Sequence, residues 1–481
     1  MMPRLRPRTW IGIAALLAAI AGAVFVLGWV QDEGTTMRAT PDRPVAPCAF
    51  HSAVLMPVAE TKALGYANTT RCLVDASGTV WIAVRSKQTR EYSICLVRAA
   101  APWRAGMSVA TTWIEDRDSL LFSGAPQRVP AIAAAPDGSI HMVWYGGITG
   151  AADHQIHYAR FSTAGTTRID EERIPFRVPG FDAVAVNAPV PIELWQEHAA
   201  VAVGPDGTTH VVWEARDPFR RTPDGMPRPG IAYASRGPDG TWSVSGVLDR
   251  VPYLQVDGRI SAQSRPSILV DSAGNVHVLC YGSVGGVQQI LYGTVIGRGF
   301  SGWKAIAPSA GDQRHAGAAI DAAGRLHVAW REGVSPGAGV ATSAIFYSER
   351  DADGRWTPPT RLSSTDENAS TPAVGVTDAN VSVAWVAWTP GAANADSQVD
   401  NGFPADNSTV EGRIEVTSSA LGVQRFAPAT SIDAGPASYP CWAVGPANGA
   451  ARPALVWTSV DAAASGDRRV NLKLGWCEPS R

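Results

Sequence analysis

Two sets of residues in this chain have the types and spacing for chemistry. The first is a series of histidines, His141, His210, His277 and His327, each a few residues after an Asp- or Asn-bearing glycine turn and each a few residues before a Trp, or Cys280 in one case. Histidines in such a row could bind a metal or move protons near neutral pH. Their equal placement in successive repeats argues otherwise, because a repeat spreads its residues around the molecule instead of gathering them at one point. They read as structural side chains satisfied between repeats. The second set clusters where one strand of each repeat begins: Arg128, His198, Arg265, Arg314, His315 and Tyr439, joined by Glu214, Arg331 and Glu332 from the strands that follow. Cations around an opening would suit a carboxylate or sulfate on a glycan. The plainer alternative is that these are solvated strand ends. No Cys and His spacing fits a zinc site, and neither a metal nor a cofactor is expected. No residue can be assigned a catalytic role.

The elements that must position these residues are strands. A short apolar run, a glycine turn and a second run ending in Trp recur through Ile140-His141-Met142-Val143-Trp144, Gly207 to Trp213, Gly274 to Cys280 and Gly324 to Trp330, with weaker copies at Gly78, Asp378 to Asn380 and Asn448. A third segment places Ile and Tyr two apart, as in Ile156 and Tyr158 or Ile345 and Tyr347, which puts both on one face of a strand. A second tight turn then leads to an outer strand marked by Trp, as at Trp242, Trp303 and Trp356. Four strands joined by turns, repeated without an amphipathic helix, predict an all-β fold, a β-propeller of seven blades. The repeating Trp144, Trp213, Trp330, Trp385 and Trp457 read as blade packing before they read as sugar platforms. The last blade lacks an outermost strand, which the segment Ser52 to Val58 can supply by pairing beside Leu472 to Trp476. That closure hides a sheet edge and brings Cys48 near Cys477, where a disulfide would staple it.

Loop lengths mark a working face. The long connections 181–197, 217–229, 253–264 and 390–410 all belong to the side on which second strands end and inner strands begin, and binding is expected where long loops gather on a rigid scaffold.

The chain divides into a basic segment 1–9, a membrane-spanning segment 10–30, a linker 31–46 and a propeller 47–481. Arg4, Arg6 and Arg8 precede an uncharged stretch from Trp10 to Val30. That is long enough to cross a bilayer and longer than a signal-peptide core. It reads as a signal anchor with the arginines in the cytoplasm, and a cleaved signal peptide is the rival. Either way the propeller lies outside the cytoplasm, where a Cys48–Cys477 bond would persist. Cys72 and Cys441 fall on neighbouring inner strands, so a second bridge is conceivable, whereas Cys95 and Cys280 read as buried thiols. Charged residues make up 17% of the chain and the formal net charge is -2, which excludes a basic nucleic-acid footprint.

The segments Ser235 to Trp242 and Ser348 to Trp356 resemble Asp boxes, the Ser-x-Asp-x-Gly-x-Thr-Trp hairpins of the sialidase-like, or BNR, propeller family. The resemblance covers most of 48–477 in its periodicity and implies the fold. Sialidases use an arginine triad, a Tyr with a Glu partner and an Asp acid. Arg173-Ile174-Pro175 is similar to the family's Phe-Arg-Ile-Pro motif but follows Glu172 and lies inside the second repeat, so no catalytic residue transfers. Three functions remain open: a membrane-tethered module binding a glycan or an envelope protein, a sialidase-like glycoside hydrolase or polysaccharide lyase, and a protein-interaction scaffold in the cell envelope.

Overall fold

The computed structural model describes residues 49–478 apart from 59–63, 65–69, 87–92, 101–102, 104–108, 115–126, 147–153, 163–166, 177–194, 222–224, 244–259, 298, 335–342, 391–411, 446–452 and 463–467. The expected membrane-spanning segment and linker lie outside the described residues, as does most of the long connections. No helix among the described residues is long and apolar enough to cross a membrane.

The described residues form strands. After β1 (Ala49–Val58), a four-stranded sheet is built from β2 (Cys72–Val74), β3 (Val80–Ser86), β4 (Ser93–Ala99) and β5 (Thr111–Ile114). A second contains β6 (Gln127–Ala134), β7 (Ile140–Gly146), β8 (Gln155–Phe161) and β9 (Arg168–Arg173). The third contains β10 (Gln196–Val203), β11 (Thr209–Arg221), β12 (Pro227–Arg236) and β13 (Trp242–Ser243). The fourth runs through β14 (Ile260–Val270), β15 (Val276–Val284) and β16 (Val287–Ile296), against which both β17 (Gly299–Phe300) and β18 (Lys304–Ala305) pair. The fifth holds β19 (Gln313–Ile320), β20 (Leu326–Gly333), β21 (Ser343–Arg350) and β22 (Thr360–Arg361). The rest, β23 (Asn368–Val376), β24 (Asn380–Trp388), β25 (Gly412–Ala420), β26 (Thr430–Ala443), β27 (Ala454–Ala462) and β28 (Arg468–Glu478), join β1 in one seven-stranded sheet.

The fold is therefore an all-β propeller, but with five discrete blades and not seven. The reason lies in β26, whose 14 residues serve two repeats. Its first part pairs with β25 through Val416↔Thr430 and Ile414↔Asp433. Its second part pairs with β27 through Ser438↔Thr458 and Cys441↔Val456. No break in hydrogen bonding separates the last two repeats, so they form a single double-width sheet. Inner strands meet in the cyclic order β2, β6, β10, β14, β19, β23, β26 and back to β2.

Packing between neighbouring sheets follows the repeat. Trp81, Trp144, Trp213, Trp330, Trp385 and Trp457 are buried on the second strand of six repeats, with Cys280 in that place in the other, and Trp81 and Trp144 belong to one apolar cluster that spans two sheets. The repeating histidines are structural, as expected, but their main partner lies in their own blade. Nδ1 of His141, His210, His277 and His327 meets the hydroxyl of Tyr158, Tyr233, Tyr292 and Tyr347 at 2.9, 2.8, 2.9 and 2.6 Å. The Ile-x-Tyr tyrosine is thus the diagonal cross-strand partner of the histidine. One bond does cross between blades, from Thr209 to His141 at 2.8 Å. The aspartates of the glycine turns cap their own loops: Asp239 accepts from the backbone of Thr241 at 2.9 Å, and Asp321 accepts from that of Arg325 at 2.9 Å. The turn glycines, such as Gly240 at φ 85° and Gly324 at φ 78°, occupy the left-handed region that the turn requires.

The N-terminal strand closes the ring as expected. β1 pairs antiparallel with β28 through Ser52↔Gly475, Ala53↔Leu474 and Val54↔Lys473, and Leu55, Met56 and Val58 are buried there. Cys477 is disulfide-bonded and lies opposite Phe50. Cys48 directly precedes β1 but falls outside the described residues, so its pairing with Cys477 stands as a proposal. The second bridge is absent: Cys72, Cys95, Cys280 and Cys441 are buried thiols outside any disulfide. The Cys72 thiol instead donates to the Cys441 carbonyl at 3.3 Å.

Candidate functional site

One backbone device recurs at the start of the inner strands. In β6, β10, β14, β19, β23 and β26 the pairing with the next strand skips two residues, and the first of each skipped pair has a left-handed backbone: Val129, His198, Arg265, His315, Thr371 and Tyr439, with φ between 49° and 53°. Non-glycine residues avoid this region, and β-bulges of this kind re-aim side chains. The second skipped residue is Pro130, Pro266, Pro372 or Pro440 in four strands, and a proline leaves no unpaired N–H. Four of the residues singled out from sequence, His198, Arg265, His315 and Tyr439, are these bulge residues.

The residue before each bulge faces a definite partner across the strand pair. Arg128 faces Tyr145, Glu197 faces Glu214, Ser264 faces Tyr281 and Arg314 faces Arg331. Glu214 gathers its neighbours. His198 Nδ1 lies 3.3 Å from Glu214 Oε2, and the same oxygen accepts from Ser264 Oγ and, at 3.4 Å, from the backbone N–H of Arg265. Burial alone would raise the Glu214 pKa, but the bonds and charge of His198, the Ser264 bond and the charge of Arg216 outweigh it and hold the carboxyl down at about 2. Glu197 stands 3.8 Å from His198 Nδ1 and 2.8 Å from His154 Nδ1. Its carboxyl is also held below the usual range against burial, mainly by the His154 bond. Aromatic rings wall this cluster. His154 stacks on Trp195 with centroids 4.1 Å apart and on Tyr145 at 5.9 Å, and Tyr145 meets the ring of His198 edge-on at 5.7 Å.

A buried arginine lies in the same ring of residues. Arg71, just before β2, is 1% exposed and donates through Nη1 to the carbonyl of Pro130, the second residue of the β6 bulge. Its Nε and Nη2 are buried without a hydrogen-bond partner. Burial, with the nearby charge of Arg265, lowers its pKa to about 9, which still leaves it a cation at neutral pH. Below these residues the axial channel is narrow, with about 50 Å³ of room among residues such as Ala200, Ser267, Gly317, Ala373 and Cys441. A ligand of any size would sit at the mouth and not in the bore.

No family model matches this chain, and no curated protein does. Solved structures with a similar fold include a protein of unknown function from Dyadobacter fermentans DSM 18053, with 14% identity and a TM-score of 0.46 over 71% of this chain and 96% of that one. Another is the polysaccharide lyase PL25 ulvan lyase bound to -[GlcA(1-4)Rha3S]-, with 13% identity and a TM-score of 0.43 over 65% and 75%. A third is the Hadza microbial sialidase Hz136, with 12% identity and a TM-score of 0.43 over 82% and 72%. At these identities and scores no residue role passes from them to this chain, and the BNR family itself is not established.

The residues expected from sequence divide into four groups. His198, Glu214 and Arg265 converge, as the bonds to Glu214 record. Arg314 and Arg331 face each other on β19 and β20, with His315 next along and its ring 6.4 Å from that of Tyr281. Arg128 faces Tyr145 on the β6 side of the cluster. Glu332 and Tyr439 are built into the scaffold instead. Glu332 Oε2 accepts from Gln313 Nε2 at 3.1 Å and Trp330 Nε1 at 3.0 Å, and Tyr439 packs in the apolar cluster at the ring closure. The connection 217–229 is also less open than expected, because β11 and β12 extend into it as a hairpin as far as Arg221↔Pro227. Sequence reading passed over Arg71, Tyr145, His154, Trp195 and Glu197. Glu197 had a visible signal, since it immediately precedes His198. Arg71 precedes one of the weaker copies of the repeat, next to Cys72.

Proposed function

We propose that the propeller binds an anionic ligand, a glycan bearing carboxylate or sulfate groups, at the mouth formed by the inner-strand bulges. The observation that carries this reading is Arg71, a buried guanidinium with two unbonded nitrogens beside Arg265. Buried cations are stable only when paired, and a bidentate anion supplies the two acceptors that a guanidinium fork presents donors for. Arg314 and Arg331 face each other across β19 and β20 and add positive charge to this side, with Arg314 also paired to Asp312 at 3.3 Å. In this reading the segment 10–30 tethers the domain to a membrane with the propeller outside the cytoplasm.

The test is a glycan array on the full-length protein followed by titration of any acidic hit. Arg265→Ala with Arg314→Ala should weaken binding by about 3 kcal/mol or more, since bonds to charged groups contribute about 1.5 to 3 kcal/mol each, while melting stays near wild type. Unchanged binding in a folded double variant, or preference for a neutral glycan, overturns the reading and puts a protein-contact scaffold ahead.

Catalysis on such a glycan is a second reading, favoured by one observation: Tyr145, His154 and His198 meet beside two carboxylates, which is the set a lyase or hydrolase needs for proton transfer. Turnover of the array hit, lost in His198→Gln with binding retained, would support it. Binding without turnover leaves the module non-catalytic.

A further inference from the structure

Glu197 and Glu214 lie directly opposite each other on β10 and β11, where two carboxylates repel. In a regular strand Glu197 and His198 would point to opposite faces. The left-handed backbone at His198 breaks that alternation, so its ring turns to the same side as the two carboxylates. The result is one nitrogen and two oxygens, from Glu197, His198 and Glu214, all within 4.8 Å of one another.

We propose that this triad binds a divalent transition-metal ion, Zn²⁺ or Mn²⁺. Metal–ligand bonds of about 2.0 to 2.1 Å in a tetrahedral site set ligand atoms roughly 3.3 to 3.4 Å apart. His198 Nδ1 already stands 3.3 Å from Glu214 Oε2 and 3.8 Å from Glu197 Oε2, and the carboxylate oxygens, within 4.8 Å of each other, have to close the remaining spacing. Imidazole with carboxylate is a donor set for transition metals, and three protein ligands leave a position open for water or a ligand oxygen. The surroundings hold the donors in place. His154 holds Glu197 through its other oxygen, whereas Ser264 and the backbone N–H of Arg265 bond Glu214 Oε2 itself and would share that oxygen with the ion. Without an ion, His198 Nδ1 donates to Glu214 at 3.3 Å, so an ion would take the place of that proton at Nδ1. The adjacency of Glu197 to His198 and the 16-residue gap to Glu214 match no metal-binding spacing. The site exists only through the bulge.

The inference is independent of the anionic-ligand reading, because the metal alone is the probe. Full-length protein stripped with a chelator should take up one Zn²⁺ or Mn²⁺ per chain in calorimetric titration, and Co²⁺ should give a d–d absorption band with nitrogen and oxygen ligation. Glu214→Gln should weaken uptake at least tenfold. If that buried change prevents folding, Glu197→Gln decides, since Glu197 is the more exposed ligand and a soluble, cooperatively melting variant is expected. Saturable binding lost in the folded Glu197→Gln variant supports the site. No saturable uptake by wild type, or equal uptake by wild type and Glu197→Gln, overturns it.

Discussion

At the scale of single residues, the propeller depends on neutral histidines. Burial lowers the pKa of His141, His157 and His210 to about 4, while His277 and His327 shift in the same direction. The neutral ring lets Nδ1 accept from a tyrosine hydroxyl while Nε2–H donates outward, as from His327 toward Asp321 at 3.4 Å. Protonation in the unfolded chain begins near pH 6.5 and in the folded chain only near 4. Between those values the unfolded state binds more protons, so stability is present at neutral pH and falls as pH drops from about 6.5 to 4. Each such histidine contributes a slope of about 1.4 kcal/mol per pH unit in that window. Glu214 acts lower, its support fading from about pH 4.5 down to about 2. Denaturant unfolding of the full-length protein at pH 7.5, 6, 5 and 4 should show a steep loss below about 6.5, consistent with those histidines. A flat profile down to pH 4.5 would contradict the buried neutral state.

At the scale of the element, the bulged inner strand is the unit that makes the site. It costs something at every copy, because an L-residue in the left-handed region is disfavoured by roughly 1 to 2 kcal/mol. Where the side chain takes part in the ring of charged groups, as at His198 and Arg265, that strain sits beside function. At Thr371 it does not: the residue is β-branched, its φ is 49°, and its hydroxyl is buried without a hydrogen-bond partner. Thr371→Gly should therefore raise stability by about 1 kcal/mol, after allowing for the extra freedom of glycine in the unfolded chain. Equilibrium unfolding would measure it. A destabilised Thr371→Gly would mean that packing at this rung outweighs backbone strain.

At the scale of the whole molecule, stability rests on ring closure. Without β1, the edge of β28 would present unpaired backbone groups, and Leu472, Leu474 and Trp476 would lose the cover of Leu55 and Met56. Deleting residues 49–58 should lower the melting temperature by ten degrees or more, on the order of several kcal/mol for lost apolar cover, and should yield concentration-dependent association in light scattering. A monodisperse deletion variant with wild-type melting would show that the ring closes by other means. Peptide mapping without reductant should recover Cys48 joined to Cys477, and Cys72 and Cys441 should remain alkylatable only after unfolding.

The sequence by itself determined the all-β repeat, the second-strand tryptophans, the structural histidines and the pairing of the two chain ends. These follow from local periodicity and turn chemistry, which every copy restates. The count of discrete blades was not legible, because whether Thr430 to Ala443 breaks or runs straight depends on hydrogen bonding to both neighbours at once. Half of the candidate site was legible as residues that begin strands. What only the tertiary structure decided is which of them meet. A bulge reverses the facing of one residue in six of the seven inner strands, so His198 joins Glu197 and Glu214, while Tyr439 at the same rung turns into an apolar cluster. Alternation along a strand is a local rule, and a backbone held in the left-handed region by its neighbours overrides it.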